Sequence, residues 1–80
     1  MSEYIATFYS HFGAVRFARV CEAHGWQTQL RPVPRTLSSS CGTCVYFVAD
    51  TLPALEQLRT PELEQLVQQE DGYKVIYTSD

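Results

Sequence analysis

The spacing of apolar and polar positions predicts six elements along the chain. Tyr4 to Phe8, YIATF, is aromatic and β-branched around a small alanine, which is the composition of a buried strand. Ser10 then offers an N-cap. Behind it Ala14, Phe17, Ala18 and Cys21 recur at the i, i+3, i+4, i+7 spacing of one helix face, and Gly25 supplies a left-handed stop. From Trp26 to Leu30 the pattern switches to strict alternation, so a half-buried strand follows the helix.

Pro32 and Pro34 remove backbone donors and close that strand, opening a polar loop from Val33 to Gly42. Cys44 to Ala49, CVYFVA, reads as a central strand. Asp50 or Thr51 caps a second helical region, with Leu52, Leu55 and Leu58 spaced for burial. Thr60-Pro61 repeats the start signal before Leu63, Leu66 and Val67, which predicts two short helices or one broken helix ended by Asp71-Gly72. Tyr73 to Tyr77 alternates as a last strand.

The resulting order, β-α-β-β-α-β, with right-handed crossovers predicts an α+β domain of the ferredoxin-like type: a four-stranded antiparallel sheet with both helices on one face. Eighty residues hold one such domain, residues 1–80, and leave no room for a second.

Charge and composition narrow the function classes. The chain is 45% hydrophobic and 19% charged, as in globular proteins. No run approaches the length of a membrane helix, and MSEYIATF lacks the basic and long apolar regions of a secretory signal, so a cytoplasmic location is expected, with no membrane partner. A formal net charge of −3 argues against nucleic acid as a partner, because a phosphate-binding surface needs clustered lysine and arginine. Any basic patch is therefore expected to be local, around Arg31 and Arg35. Glycine-rich phosphate loops and a usable Ser/His/Asp order are absent, and no cofactor is expected.

The chemistry that remains is thiol chemistry. Three cysteines, Cys21, Cys41 and Cys44, make an odd count that disfavours a disulfide framework and directs attention to the close pair. Ten residues, Val33 to Gly42, separate the second and third strands where a simple hairpin needs about two to five. Such a connection is more often a binding loop or a mobile segment than a plain turn. Cys41 ends it, and Gly42 leaves room for a partner atom beside the main chain. A thiolate forms more readily facing a cation or backbone N–H donors. Arg35 could supply the first, and the Ser38-Ser39-Ser40-Cys41 backbone the second. The bland alternative is a serine-rich turn with Cys41 as a small apolar plug.

Cys44 leads into a strand, whereas redox C-x-x-C pairs sit at helix amino termini, and along extended backbone residues three apart point to opposite faces. Cys44 therefore reads as core, and a Cys41–Cys44 couple requires the chain to curl through Gly42 and Thr43. A zinc site would need ligands beyond this pair, and His11 and His24 lie a full helix apart. His11 is expected in solvent, with contact to the loop side as the alternative, His24 against the helix carbonyls, and Cys21 in the core.

The segment from Ala6 to about Phe47 resembles the putative selenium/sulfur carrier protein-like family. The resemblance lies in the opening ATF strand, the helix of small and apolar residues, and a P-R-x-L-S-S-x-C-G signature at Pro34, Arg35, Leu37, Ser38, Ser39, Cys41 and Gly42. It implies a carrier rather than a turnover enzyme. Cys41 would hold a persulfide or selenopersulfide received from a donor such as a cysteine desulfurase and pass it to an acceptor protein. Arg35 would stabilise the anion, while Ser38, Ser39 and Gly42 would shape the loop. If Cys44 reached Cys41 it would act as a resolving thiol, expelling sulfide and leaving a disulfide. Two other readings stay open: a dithiol redox or metal-binding module using Cys41 and Cys44, and a non-catalytic interaction domain forming a homodimer through an exposed sheet.

Overall fold

A computed structural model describes residues 1–79. The elements run β1 (Ser2–Phe8), α1 (His11–Ala23), β2 (Gln27–Pro32), β3 (Thr43–Ala49), α2 (Leu55–Leu58), β4 (Leu63–Gln69) and β5 (Tyr73–Thr78). The strands form one five-stranded sheet in the order β2-β3-β1-β4-β5, with every neighbouring pair antiparallel. β1 and β2 are thus parallel to each other with β3 between them. β3 and β4 are likewise parallel, with β1 between.

The α+β class and the first four predicted elements hold, but the expected four strands are five. The chain from Leu63 to Gln69 is a strand, and the second helix shrinks to the single turn Leu55–Leu58. Thr60-Pro61 does restart the chain, as a turn into β4 rather than into a helix. The spacing of Leu63, Leu66 and Val67 was helical because two facts of the sheet combine there. Leu66 and Val67 point to opposite faces, and both faces are buried at that point. A bulge falls just before them: Phe8 pairs with Leu63 and Thr7 with Gln65, leaving Glu64 as the extra residue. The bulge returns Leu63 and Leu66 to the same face although they are three apart. Asp71-Gly72 then turns a β-hairpin into β5, both residues having positive φ, where a helix end was expected.

α1 forms as its pattern dictates. Ser10 Oγ accepts from the Gly13 amide at 3.1 Å, satisfying one of the donors a helix start leaves open, and Gly13, Ala14, Phe17, Ala18 and Cys21 face the sheet. They meet Tyr4, Ala6 and Phe8 of β1, Val45, Phe47 and Ala49 of β3, and Leu63 and Leu66 of β4, with Leu58 from α2 completing this larger core. Phe47 is its centre, with ring centroids of Tyr4, Trp26 and Phe17 at 5.2, 5.2 and 5.7 Å. Burying one such side chain contributes roughly 1.5–3 kcal/mol. Gly13 is needed for another reason as well: a Cβ there would stand 2.5 Å from Glu62 Cβ, so the helix start packs directly against the Glu62 side chain at the entry to β4.

Among the described residues no helix covers the opposite face of the sheet. Ile5, Cys44, Tyr46 and Val67 form a second, smaller cluster there, and Val33 and Leu37 of the β2–β3 loop pack against it. The loop is therefore part of the fold on that side. No helix is long and apolar enough to cross a membrane among the described residues.

Candidate functional site

The β2–β3 loop occupies Val33 to Gly42 as expected, and it is tied down rather than loose. Its neck is closed by the Val33 amide donating to the Gly42 carbonyl at 3.1 Å. Inside it the Leu37 amide donates to the Pro34 carbonyl at 3.0 Å, making a turn with Arg35 and Thr36 at its tip. Ser39 Oγ donates to the Phe8 carbonyl at 3.3 Å, holding the loop to the end of β1. Ser40 is held to β4 twice: its amide donates to Glu64 Oε1 at 3.2 Å and its hydroxyl to Glu64 Oε2 at 3.0 Å. The β4 bulge aims Glu64 at this loop, which is a common use of bulges.

Cys41 follows Ser40 and is half-buried, resting on the edge of the helix-side core. Its Sγ donates to the Thr43 carbonyl at 3.3 Å. Gly42, exposed and with φ +76, makes the bend that carries the chain from the loop into β3; space beside its Cα is open, so the glycine is required by the dihedral angle alone. Thr43 connects this end of the loop to α1, since its Oγ1 lies 3.4 Å from His11 Nδ1. His11 is exposed, as expected, and it also reaches the end of the thiol loop, the alternative that its place at the start of α1 left open.

The other expected members of the site are distributed along the loop. Arg35 stands in solvent at the tip of the turn, six residues before Cys41, with no hydrogen bond or ion pair among the described residues. Ser38 is exposed and Ser39 half-buried. The Ser40 amide, one of the main-chain donors expected to face the sulfur, is taken by the Glu64 carboxylate. Sequence reasoning missed Glu64 because it placed the stretch around Leu63 and Leu66 in a second helical region; only recognition of β4 and its bulge would have found it.

Cys44 is core, as its strand position predicted. It is 1% exposed, its Sγ donates to the Pro32 carbonyl at 3.6 Å, and burial pushes its pKa up, with the Arg31 guanidinium opposing in part. Its side chain lies in the open-face cluster, whereas Cys41 packs against the helix-side cluster. All three cysteines are free. Cys21 is fully buried under α1, and burial drives its pKa up to about 12. Directly across from Cys44, Thr7 of β1 is 1% exposed, and its Oγ1 finds no hydrogen-bond partner among the described residues. On the other flank of Cys44, Arg31 lays its guanidinium 3.8 Å from the centre of the Tyr46 ring, whose hydroxyl donates to Glu3 Oε1 at 2.5 Å.

Among the described residues no three His, Cys, Asp or Glu side chains converge as metal ligands. The arrangement offers one approachable thiol at the end of an anchored loop and two thiols sealed in the two cores. A family whose sequence model is described as "Putative Se/S carrier protein-like" matches residues 3–74. That span takes in the whole sheet as far as the beginning of β5. No curated protein and no solved structure matches the chain.

Proposed function

The chain belongs to the putative Se/S carrier protein-like family, and from that membership we propose that Cys41 carries a sulfane sulfur or selenium atom between two partner proteins in the cytoplasm. The observation that carries this reading is the division of the three thiols: Cys21 and Cys44 are buried with raised pKa values, while Cys41 is part-exposed at the end of the β2–β3 loop. A carried atom must be reachable by two macromolecules in turn, and only Cys41 meets that condition.

Loading is a displacement at sulfur. The Cys41 thiolate attacks the outer sulfur of a donor persulfide, such as that of a cysteine desulfurase; a new S–S bond forms on Cys41, the donor's S–S bond breaks, and the donor leaves as thiolate. Unloading repeats the step with an acceptor thiolate attacking the outer atom and Cys41 leaving. No electrons are gained or lost overall. Arg35, with a long side chain and no hydrogen-bond or ion-pair partner among the described residues, supplies positive charge to the persulfide anion. Ser39 and Ser40 hold the loop, Ser38 and Gly42 give it its shape, and His11 at the first position of α1 adds a polar group on the side of Thr43.

The same division favours a carrier over a dithiol couple. A carrier must keep its outer atom from internal attack, and Cys41 packs against the helix-side cluster while Cys44 lies in the open-face cluster. The frame suits the role too. We read β2-β3-β1-β4 as a ferredoxin-like sheet to which β5 adds an edge. Incubation with a cysteine desulfurase and cysteine tests the proposal: the intact protein gains the mass of one sulfur and loses it again on addition of an acceptor thiol. Protein that stays unmodified under these conditions would refute the carrier reading.

A further inference from the structure

A groove of about 470 Å3 runs between the outer side of α1 and the Arg59–Glu62 segment that leads into β4. It is a built feature. Tyr9 donates its amide to the Glu62 carbonyl at 2.9 Å, Ser10 Oγ donates to the Glu62 carboxylate, and Gly13 packs directly against the Glu62 side chain. Phe12, Arg16 and Val20, at i, i+4 and i+8 of the helix, form one wall; Arg59 and Pro61 face them. Phe12 is 65% exposed and Val20 38%, which leaves two apolar side chains facing water in the same place.

The charge of the groove sets it apart. In a chain of net charge −3, Arg16 and Arg59 both line it, and neither has an ion-pair partner among the described residues. Arg16 instead lies over the Phe12 ring at 5.5 Å from its centre. The one carboxylate on the lining, Glu62, is engaged by Ser10. Along α1 the groove starts at Phe12, the residue after His11, whose Nδ1 lies 3.4 Å from Thr43 Oγ1; the Thr43 carbonyl in turn accepts from Cys41 Sγ.

We infer that this groove docks a segment of the exchange partner in which apolar side chains alternate with carboxylates. The inference rests on the carrier reading for the partner's role, but not for the binding itself. Apolar side chains of the segment cover Phe12, Val20 and Pro61, and its carboxylates pair with Arg16 and Arg59 across a partly desolvated rim, fixing orientation and speeding encounter. The docked segment leads the partner's thiol toward the Cys41 end of α1.

The test uses the full chain carrying Cys41→Ser, so that sulfur chemistry plays no part, and a short fluorescent peptide of alternating leucine and glutamate. Saturable binding is expected, weakening as salt rises, with amide shifts concentrated at Phe12, Arg16, Val20 and Arg59. Arg16→Glu together with Arg59→Glu is expected to weaken it about tenfold or more. Both sites are exposed, so the fold is retained, and Phe12→Ser provides an uncharged second variant with the same expected direction. Absence of saturable binding, equal binding of the glutamine or lysine version of the peptide, or shifts elsewhere would overturn the inference. So would arginine-dependent binding to phosphatidylglycerol vesicles without peptide binding, or a dimer in sedimentation that Arg16→Glu dissociates, since these assign the groove to a membrane or to a second copy. Peptide binding by a protein that never acquires sulfur would remove the carrier reading and leave the groove; sulfur loading without peptide binding would do the reverse.

Discussion

Glu64 grips Ser40 with both carboxylate oxygens, one on the main-chain amide at 3.2 Å and one on the hydroxyl at 3.0 Å. Cys41 is the next residue, so the position of this thiol depends on a side chain projected from a bulge in a different strand. Glu64→Ala removes this hold at an exposed site. We expect a stability loss of about 1 kcal/mol in urea, faster amide exchange from Ser38 to Gly42, and faster alkylation of Cys41 by iodoacetamide. Unchanged exchange in the loop would show that the neck hydrogen bond between Val33 and Gly42 suffices.

Alkylation should also sort the three thiols. Under native conditions at neutral pH, Cys41 reacts first, while Cys44 and Cys21 react only when the protein opens, because burial both blocks access and keeps them protonated. Peptide mapping of a brief iodoacetamide pulse reads the order, and early label on Cys44 would contradict it.

Cys21 gives stability a definite dependence on alkaline pH. Its pKa is about 12 folded against 9.0 for an ordinary thiol. Below pH 9 the thiol is neutral in both states and its contribution is fully present. Between pH 9 and about 12 the unfolded chain releases a proton that the native protein retains, so this group's contribution falls by about 1.4 kcal/mol per pH unit. Urea unfolding across this window should show a shallower decline in Cys21→Ala than in the parent protein. Identical declines would mean that the thiol is not sealed under α1.

Thr7 holds a buried hydroxyl with no partner among the described residues, opposite Cys44. Leaving such a group unsatisfied costs about 1–3 kcal/mol, and valine has nearly the same shape. Thr7→Val is therefore expected to stabilise the fold by about 1 kcal/mol without changing sulfur loading at Cys41. A loss of stability would reveal a hydrogen bond at this position.

Gly13→Ala tests the contact between α1 and the chain entering β4. Alanine is the better helix former, yet its Cβ would meet Glu62 at 2.5 Å, and overpacking of this kind costs about 1–3 kcal/mol. Net destabilisation in urea is expected; stabilisation would place the Glu62 segment farther from the helix.

The half of the fold built on local signals could be read from the sequence. Ser10, the Ala14–Cys21 spacing and Gly25 define α1, and the prolines and Gly42 frame the loop, because each acts within one turn of chain. The second half misled for a physical reason. A strand buried on both faces and interrupted by a bulge places Leu63, Leu66 and Val67 at the spacing of a helix, and only the pairing with β1 distinguishes the two. Asp71-Gly72 carried the hairpin signal, but a helix end uses the same residues. Cys41 and its loop could be found because cysteine and glycine declare their chemistry and conformation locally. Glu64 could not, and Thr43 could not be named as the partner of His11, since both depend on which strand ends the sheet brings together.

Peptide-resolved mass spectrometry after incubation with a cysteine desulfurase and cysteine tests the central claim most directly. Added sulfur should map to Cys41, persist in Cys44→Ala and vanish in Cys41→Ala. Sulfur found on Cys44 in the parent protein, or retained by the Cys41→Ala variant, would contradict the account.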